Sequence, residues 1–129
     1  MNGAFHLSIM VRSLEDSVAF FIRVLRAKVM HRDPAGYVNL DVFGSQITLH
    51  ESPDAVPDVP GLHFGVNLDL HDFETLSREL IADANVSVVM PPSVTDAGTP
   101  LERRKMYLRC PTGYLIEIKG YPRSEAHIA

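Results

Sequence analysis

The sequence predicts an α+β protein built from two βαβββ modules, in which a strand, a helix and three strands occur twice. Three observations support this prediction: an alternating segment opens each half, an amphipathic helical stripe follows it, and a proline-rich segment separates the halves. Because each module would have one apolar face, we expect a curved mixed sheet with helices on its convex side. The opposite face would then form a concave, partly polar cup.

Length and composition favour a single globular domain over residues 1–129. The chain is 46% hydrophobic and 22% charged, which is ordinary for a domain that buries its own core. Its net charge of -4, with scattered Lys and Arg, argues against a nucleic-acid partner. No apolar stretch approaches the ~20 residues that span a bilayer, and the first residues lack a secretory pattern. We therefore predict a cytoplasmic protein with no membrane partner.

The first module covers about residues 4–51. The segment FHLSIMV alternates as a strand and leads to Ser13, whose hydroxyl can cap the following helix with Asp16 near its third position. The helix has an apolar stripe at helical spacing, formed by Leu14, Val18, Phe21 and Leu25. Three strands are predicted to follow, at 28–31, 37–42 and 46–51.

A linker at residues 52–61 separates the modules, because its three prolines and one glycine prevent a continuous helix or central strand. The second module covers about residues 62–121, before a tail at 122–129. It opens with the alternating strand LHFGVNL, and a second helical stripe comprises Phe73, Leu76, Leu80, Ile81 and Ala84. Three more strands are predicted at 86–90, 105–109 and 114–119, with a long loop at 91–104.

Ligand-capable side chains recur at matching positions of the two modules. Aligning FHLSIMV with LHFGVNL brings His6 over His63, and each histidine faces away from the apolar side of its strand. In the last strands, LHE aligned with IEI brings His50 over Glu117. Two neutral imidazoles and a carboxylate would satisfy one another at a divalent ion and leave coordination sites open for substrate. Histidines that only hydrogen-bond within a sheet would have no reason to recur in register.

Other polar residues admit more than one interpretation. His50 could be a fourth metal ligand, a general base or a polar strand end, whereas Glu51 is expected to be solvated. Cys110 is the only cysteine, so it forms no internal disulfide; it is either a nucleophile or a small semi-buried side chain. Gln46 and Lys119 could contact a substrate or lie on the surface. Exposed or capping roles are expected for His31, His71 and His127.

Four segments resemble the glyoxalase, bleomycin-resistance and extradiol-dioxygenase superfamily, whose members chelate adjacent substrate oxygens on a metal. They are FHLSIMVRSLEDSVAFFIRVL, VFGSQITLHE, LHFGVNL and CPTGYLIEIKG. The resemblance implies metal ligands at His6, His63 and Glu117, with His50 at a position where some members have a fourth ligand, often glutamate. The sequence departs from the family pattern at Phe21, Arg26 and Cys110.

The function implied by this resemblance is a metal-dependent enzyme of the dioxygenase or lyase type, with Glu117 and His50 as candidate catalytic residues. Its cofactor would be a divalent ion, Fe, Mn, Ni or Zn, and its partner a small-molecule substrate. Methylglyoxal isomerisation is less favoured, because His50 replaces a carboxylate that this proton shuttle uses. The resemblance also implies a homodimer, and in some relatives two chains complete each site. A non-catalytic, bleomycin-resistance-like binding protein is the main alternative, and a purely structural dimer has the least support.

Overall fold

The computed structural model describes residues 1–57, 59–123 and 127. The chain divides into two compact units, which are described separately. The first unit comprises Met1–Val59 and Pro111–Gly113, and the second comprises Pro60–Cys110 and Tyr114–Ala129. The boundary near residue 60 falls within the segment that was predicted as the linker.

The first unit contains one strand, one helix and three further strands in chain order. These elements are β1 (His6–Val11), α1 (Leu14–Leu25), β2 (Lys28–Asp33), β3 (Tyr37–Val42) and β4 (Ser45–Glu51). The strands form a four-stranded sheet in the order β1-β4-β3-β2. The β1–β4 contact is parallel and the other two contacts are antiparallel, so the sheet is mixed.

The second unit repeats this arrangement. Its elements are β5 (His63–Asp69), α2 (Leu70–Ala82), β6 (Ser87–Thr95), β7 (Arg103–Arg109) and β8 (Leu115–Tyr121). Its sheet order is β5-β8-β7-β6, again with one parallel contact between the first and last strands. The predicted α+β class and the two βαβββ modules are confirmed. Neither helix in the described ranges has the length and hydropathy needed to span a membrane.

The start of α1 is capped as the sequence predicts, and a second side chain also takes part. The Ser13 hydroxyl accepts a hydrogen bond from the Asp16 backbone N–H at 3.3 Å. The Glu51 carboxylate, predicted to be solvated, also accepts a hydrogen bond from the Leu14 N–H at 2.8 Å. Both acceptors satisfy backbone donors that have no partner within the first helical turn. Glu51 therefore ties the end of β4 to the start of α1.

The predicted loop at 91–104 is too long, because β6 continues through Pro91 and Pro92 to Thr95. Proline removes a ladder donor and is therefore confined to edge strands and bulges. Strand β6 is the outermost strand of its sheet, and its register with β7 shifts between Met90 and Ser93. The prolines thus occupy an irregular edge where the sheet tolerates them.

The apolar stripe predicted for α2 is correct in its first three residues and wrong in its last two. Phe73, Leu76 and Leu80 are buried, but the side chain of Ile81 is 53% exposed. Successive residues are about 100° apart around a helix, so Ile81, the neighbour of the buried Leu80, points away from the sheet. Ala84 lies beyond the last helical residue, Ala82, and is exposed.

The end of α1 has an arginine in a backbone conformation that favours glycine. Arg26, with φ 55° and ψ 32°, is in the left-handed region, and its backbone N–H caps the Phe21 carbonyl. A side chain in this region brings Cβ close to the next carbonyl oxygen. The Arg26 side chain donates a hydrogen bond from Nη1 to the Arg23 carbonyl at 2.9 Å.

Replacing Arg26 with glycine is therefore expected to stabilise the protein by about 0.5–1 kcal/mol, because it removes this steric cost. Arg23→Gly is the matched control, since it removes the same side chain from the last helical turn and should destabilise by about 1 kcal/mol. Thermal unfolding of both variants tests the difference. A lower Tm for both would contradict the assignment of strain to Arg26.

Candidate metal site

Glu117 is the central residue of the candidate site and lies in the last strand of the second module. It is 8% exposed, and its neighbours across the sheet are Gly65 on β5 and Tyr107 on β7. Residues directly opposite each other in a sheet present their side chains on the same face. The carboxylate therefore shares the polar face of the sheet with the Tyr107 side chain, above the backbone of Gly65.

The first residue of β5, His63, contacts Glu117. Its Nε2 atom lies 3.1 Å from Glu117 Oε2, while its Nδ1 atom lies 3.2 Å from the carbonyl oxygen of Gly61. A carbonyl oxygen can only accept, so Nδ1 carries the proton in this hydrogen bond. In the neutral ring Nε2 is then an acceptor that faces a second acceptor. Two facing acceptors attract each other when a proton or a cation lies between them.

Tyr107 completes a cluster around the carboxylate. Its hydroxyl group hydrogen-bonds to Glu117, and this bond, together with burial and the negative charge of Glu117, raises the pKa of Tyr107 to about 12. Its ring meets the His63 ring edge-on, with the ring centres 5.9 Å apart. As the phenol donates to Glu117, it orients the carboxylate while leaving lone pairs available for another ligand.

Glycine is required at position 65 by the close approach of β8. A Cβ atom built on Gly65 would lie 1.6 Å from the backbone oxygen of Glu117, far inside contact distance. The neighbour is backbone, so the clash could not be relieved by rotation of a side chain. Gly65 thus allows the strand that carries Glu117 to lie close to the strand that carries His63.

His6 and His50 belong to the first module. His6 is exposed at the start of β1, opposite Gln46 on β4, and so occupies the same position in its module as His63. His50 lies further along β4, opposite Met10 on one side and Tyr37 on the other. The rings of His50 and Tyr37 are 5.4 Å apart between centres, at an interplanar angle of 40°.

The register corrects one pairing that was expected from the sequence. With His6 and His63 as reference points, the first-module residue equivalent to Glu117 is Thr48, because Ser8 pairs with Thr48 as Gly65 pairs with Glu117. His50 was expected at this position, and the alignment of the last strands was wrong by two residues. Side chains in a strand repeat every two residues, so such a slip leaves the predicted face unchanged and the pattern cannot reveal it.

Within the described residues, no three His, Cys, Asp or Glu side chains form a group that could hold a metal ion. The structure brings His63 and Glu117 together and adds Tyr107 to them. Tyr107 was missed because strand register is needed to see that it lies opposite Glu117. Its alternation with the buried Met106 and Leu108 was the available signal that it faces the polar side.

The other candidate residues take a variety of positions. Cys110 is 4% exposed, in agreement with the small buried alternative rather than an accessible nucleophile. His31 lies within β2 rather than at a turn, 3.4 Å from Asp33, and His71 is exposed near the start of α2. His127 lies near Asp69, with a contact distance of 3.1 Å. Gln46 is exposed and Lys119 is half-buried.

We expect Glu117→Gln to lower the pKa of Tyr107 from about 12 towards its usual value near 10, because the substitution removes the negative charge beside the phenol. The raised pKa means that the contact stabilises the fold below pH 10 and is lost as pH rises through about 12. Ultraviolet titration of metal-free protein measures this, with Tyr107→Phe identifying the signal and Glu102→Gln as control. An unchanged titration in Glu117→Gln would refute the contact.

Comparisons with known proteins agree with this fold. The family model of the Glyoxalase/Bleomycin resistance protein/Dioxygenase superfamily matches residues 3–118. A glyoxalase/bleomycin resistance protein/dioxygenase from Alicyclobacillus acidocaldarius is 27% identical, with a TM-score of 0.77 and coverage of 97% of this chain and 96% of that one. No curated protein matches the sequence.

Two further solved structures share the fold at lower identity. The fosfomycin resistance protein FosX from Listeria monocytogenes is 15% identical, with a TM-score of 0.77 and 98% of each chain covered. TioX from Micromonospora sp. ML1 is 19% identical, with a TM-score of 0.69 and coverage of 92% of this chain and 98% of that one. With the family model matching most of its length, the chain belongs to the Glyoxalase/Bleomycin resistance protein/Dioxygenase superfamily.

Proposed function

We propose that the protein is a metal-dependent enzyme that binds a small substrate through adjacent oxygens, in a reaction of the dioxygenase or lyase type. The observation that carries this proposal is the 3.1 Å approach of His63 Nε2 to Glu117 Oε2. His63 is held by the Gly61 carbonyl in the tautomer that exposes the Nε2 lone pair. A divalent cation bound by both His63 Nε2 and Glu117 Oε2 would make the approach of these two acceptors favourable.

The chemistry of these donors fits a first-row ion. Imidazole nitrogen together with carboxylate oxygen suits Fe, Mn, Ni and Zn, so the residues support a divalent ion without selecting one. A structure of FosX from Listeria monocytogenes contains Mn(II), at 17% identity, a TM-score of 0.76 and coverage of 98% of this chain and 95% of that one. This relative supports the choice of a divalent metal for the present chain.

We further propose that His6 supplies the third ligand from a second copy of the chain. The described part of one chain brings together a histidine and a glutamate but no group of three ligands. His6 is exposed at the start of β1 and is therefore accessible to a partner. A symmetric dimer would form two such sites, each with His6 from one chain and His63 and Glu117 from the other.

The residues around Glu117 have distinct roles in this proposal. When bound, a divalent ion would polarise adjacent substrate oxygens. Glu117 is buried and can take a proton from the substrate at a carboxylate oxygen, while the Tyr107 hydroxyl holds that carboxylate in position. His50 is proposed as a general base or a fourth ligand supplied by the first module, where its imidazole lies 5.4 Å from the Tyr37 ring between centres.

A non-catalytic binding protein remains the alternative function. The observation that favours it is the absence of a three-ligand group within the described part of one chain. Such a protein would capture its ligand without metal, and its affinity would be insensitive to Glu117→Gln. The metal measurements below therefore distinguish the two functions.

Metal binding by purified, untagged protein is the first test. Titration with Mn(II), Fe(II), Ni(II) and Zn(II) should show saturable binding that His63→Ala weakens by about 10- to 100-fold or more, because a ligand is lost. Exposed His71 supplies the matched control, and His71→Ala should bind as the wild type does. Equal metal affinity in His63→Ala, His71→Ala and wild-type protein would rule out this site.

Mixing two inactive variants tests whether the site is shared. His6→Ala and His63→Ala homodimers should each lack a ligand in every site. Refolding an equimolar mixture should restore metal to about a quarter of the sites, because half of the dimers are mixed and one of their two sites is intact. No recovery in mixed dimers, isolated through two different affinity tags, would show that the ligands belong to one chain.

A further inference from the structure

A row of hydrogen-bond donors lies next to Glu117 on the polar face of the second module. Lys119 on β8 is directly opposite Lys105 on β7, which in turn is opposite Ser93 on β6. Opposed residues present their side chains on the same face, with Cβ atoms about 4.5–5.5 Å apart. Two ammonium groups and a hydroxyl thus project from neighbouring positions.

The two lysines are not neutralised by nearby acids. Within the described residues, neither ammonium group takes part in an ion pair, and Lys119 Nζ lies 6.0 Å from the centre of the Tyr121 ring. Like charges placed directly opposite each other in a sheet are destabilising. Asn67, the neighbour of Lys119 on β5, contributes an amide rather than a carboxylate. The row therefore concentrates positive charge in a chain whose net charge is -4.

The carboxylates on either side of this row have other partners. Glu117 precedes Lys119 by two residues on β8 and lies on the same face, where it contacts His63 and Tyr107. At the far end of β5, Asp69 contacts His127 at 3.1 Å. Arg103, the next residue on this face of β7, lies 2.6 Å from Asp96. The lysines are thus left as the charges available to a ligand.

We propose that Lys105, Lys119 and Ser93 form a subsite for a dianionic oxyanion group of the substrate, such as a phosphate. Two cationic donors match two negative charges, and the Ser93 hydroxyl provides a third donor. This proposal rests on the proposed function, because it treats the row as part of the same site as Glu117.

The position of the row beside Glu117 also bears on the kind of substrate. Alternate residues on one face are about 6.6–6.8 Å apart along a strand, so Lys119 and Glu117 are neighbours on this face of β8. A ligand that reaches both positions needs only a short chain between its adjacent oxygens and its anionic group. The substrate class is therefore a small phosphorylated or similarly dianionic molecule.

Titration of the metal-free, full-length protein with inorganic phosphate tests the subsite by calorimetry and amide NMR shifts. Wild-type protein should bind phosphate, with shifts at residues 105 and 119, and should bind acetate far more weakly. Lys105→Met and Lys119→Met should each weaken phosphate binding about tenfold, because a charge-assisted hydrogen bond is lost. Lys105→Arg should retain most of the affinity, which separates charge from folding.

Arg78→Met is the matched control, since it removes an exposed positive charge from α2, outside the donor row. Its phosphate affinity should equal that of the wild type. Wild-type affinity in both lysine variants, shifts confined to other strands, or equal binding of acetate would overturn the proposal. Because no metal is added, loss of phosphate binding is distinguishable from failure of the metal site, which the His63→Ala titration reports separately.

Discussion

The contact between the His63 imidazole and the Glu117 carboxylate is the constraint on which the site depends. The backbone sets this contact: the Gly61 carbonyl accepts a hydrogen bond from His63 Nδ1–H, which directs Nε2 towards a carboxylate oxygen of Glu117. Gly65 allows the two strands to approach closely enough, and Tyr107 holds the carboxylate from the other side. Backbone geometry therefore places the imidazole and the carboxylate where a proton or a cation between them makes the contact favourable.

The two modules share their topology but differ in the chemistry of their polar faces. In the second module the central position is a buried carboxylate, whereas the first module has Thr48 there, whose hydroxyl donates to Asn39 Oδ1 at 2.7 Å. The threonine is satisfied by a neutral neighbour and needs no ion. The acidic residue at this position is therefore a property of the second module alone, and the polar faces of the two modules are not chemically equivalent.

Much of the fold could be predicted from hydrophobic periodicity, and the βαβββ order was clear in both halves. Strand faces were also predictable, since His6 and His63 lie opposite their apolar neighbours as alternation requires. Register was not predictable, because a two-residue slip keeps every side chain on its face; this is why His50 was paired with Glu117 in place of Thr48. Tyr107 was missed for the same reason. The end of β6 was also missed, because Pro91 and Pro92 indicate a loop, whereas the outermost strand of a sheet tolerates proline.

The prolines in β6 have a consequence for how the protein behaves at high concentration. An outer strand normally offers a line of free amides to which another chain can add, the first step towards fibrous aggregates. Pro91 and Pro92 carry no amide hydrogen, and the register with β7 is irregular beside them, so the row of backbone donors is interrupted. A neighbouring molecule cannot continue the ladder across this stretch, so the second module is protected against growth from that side.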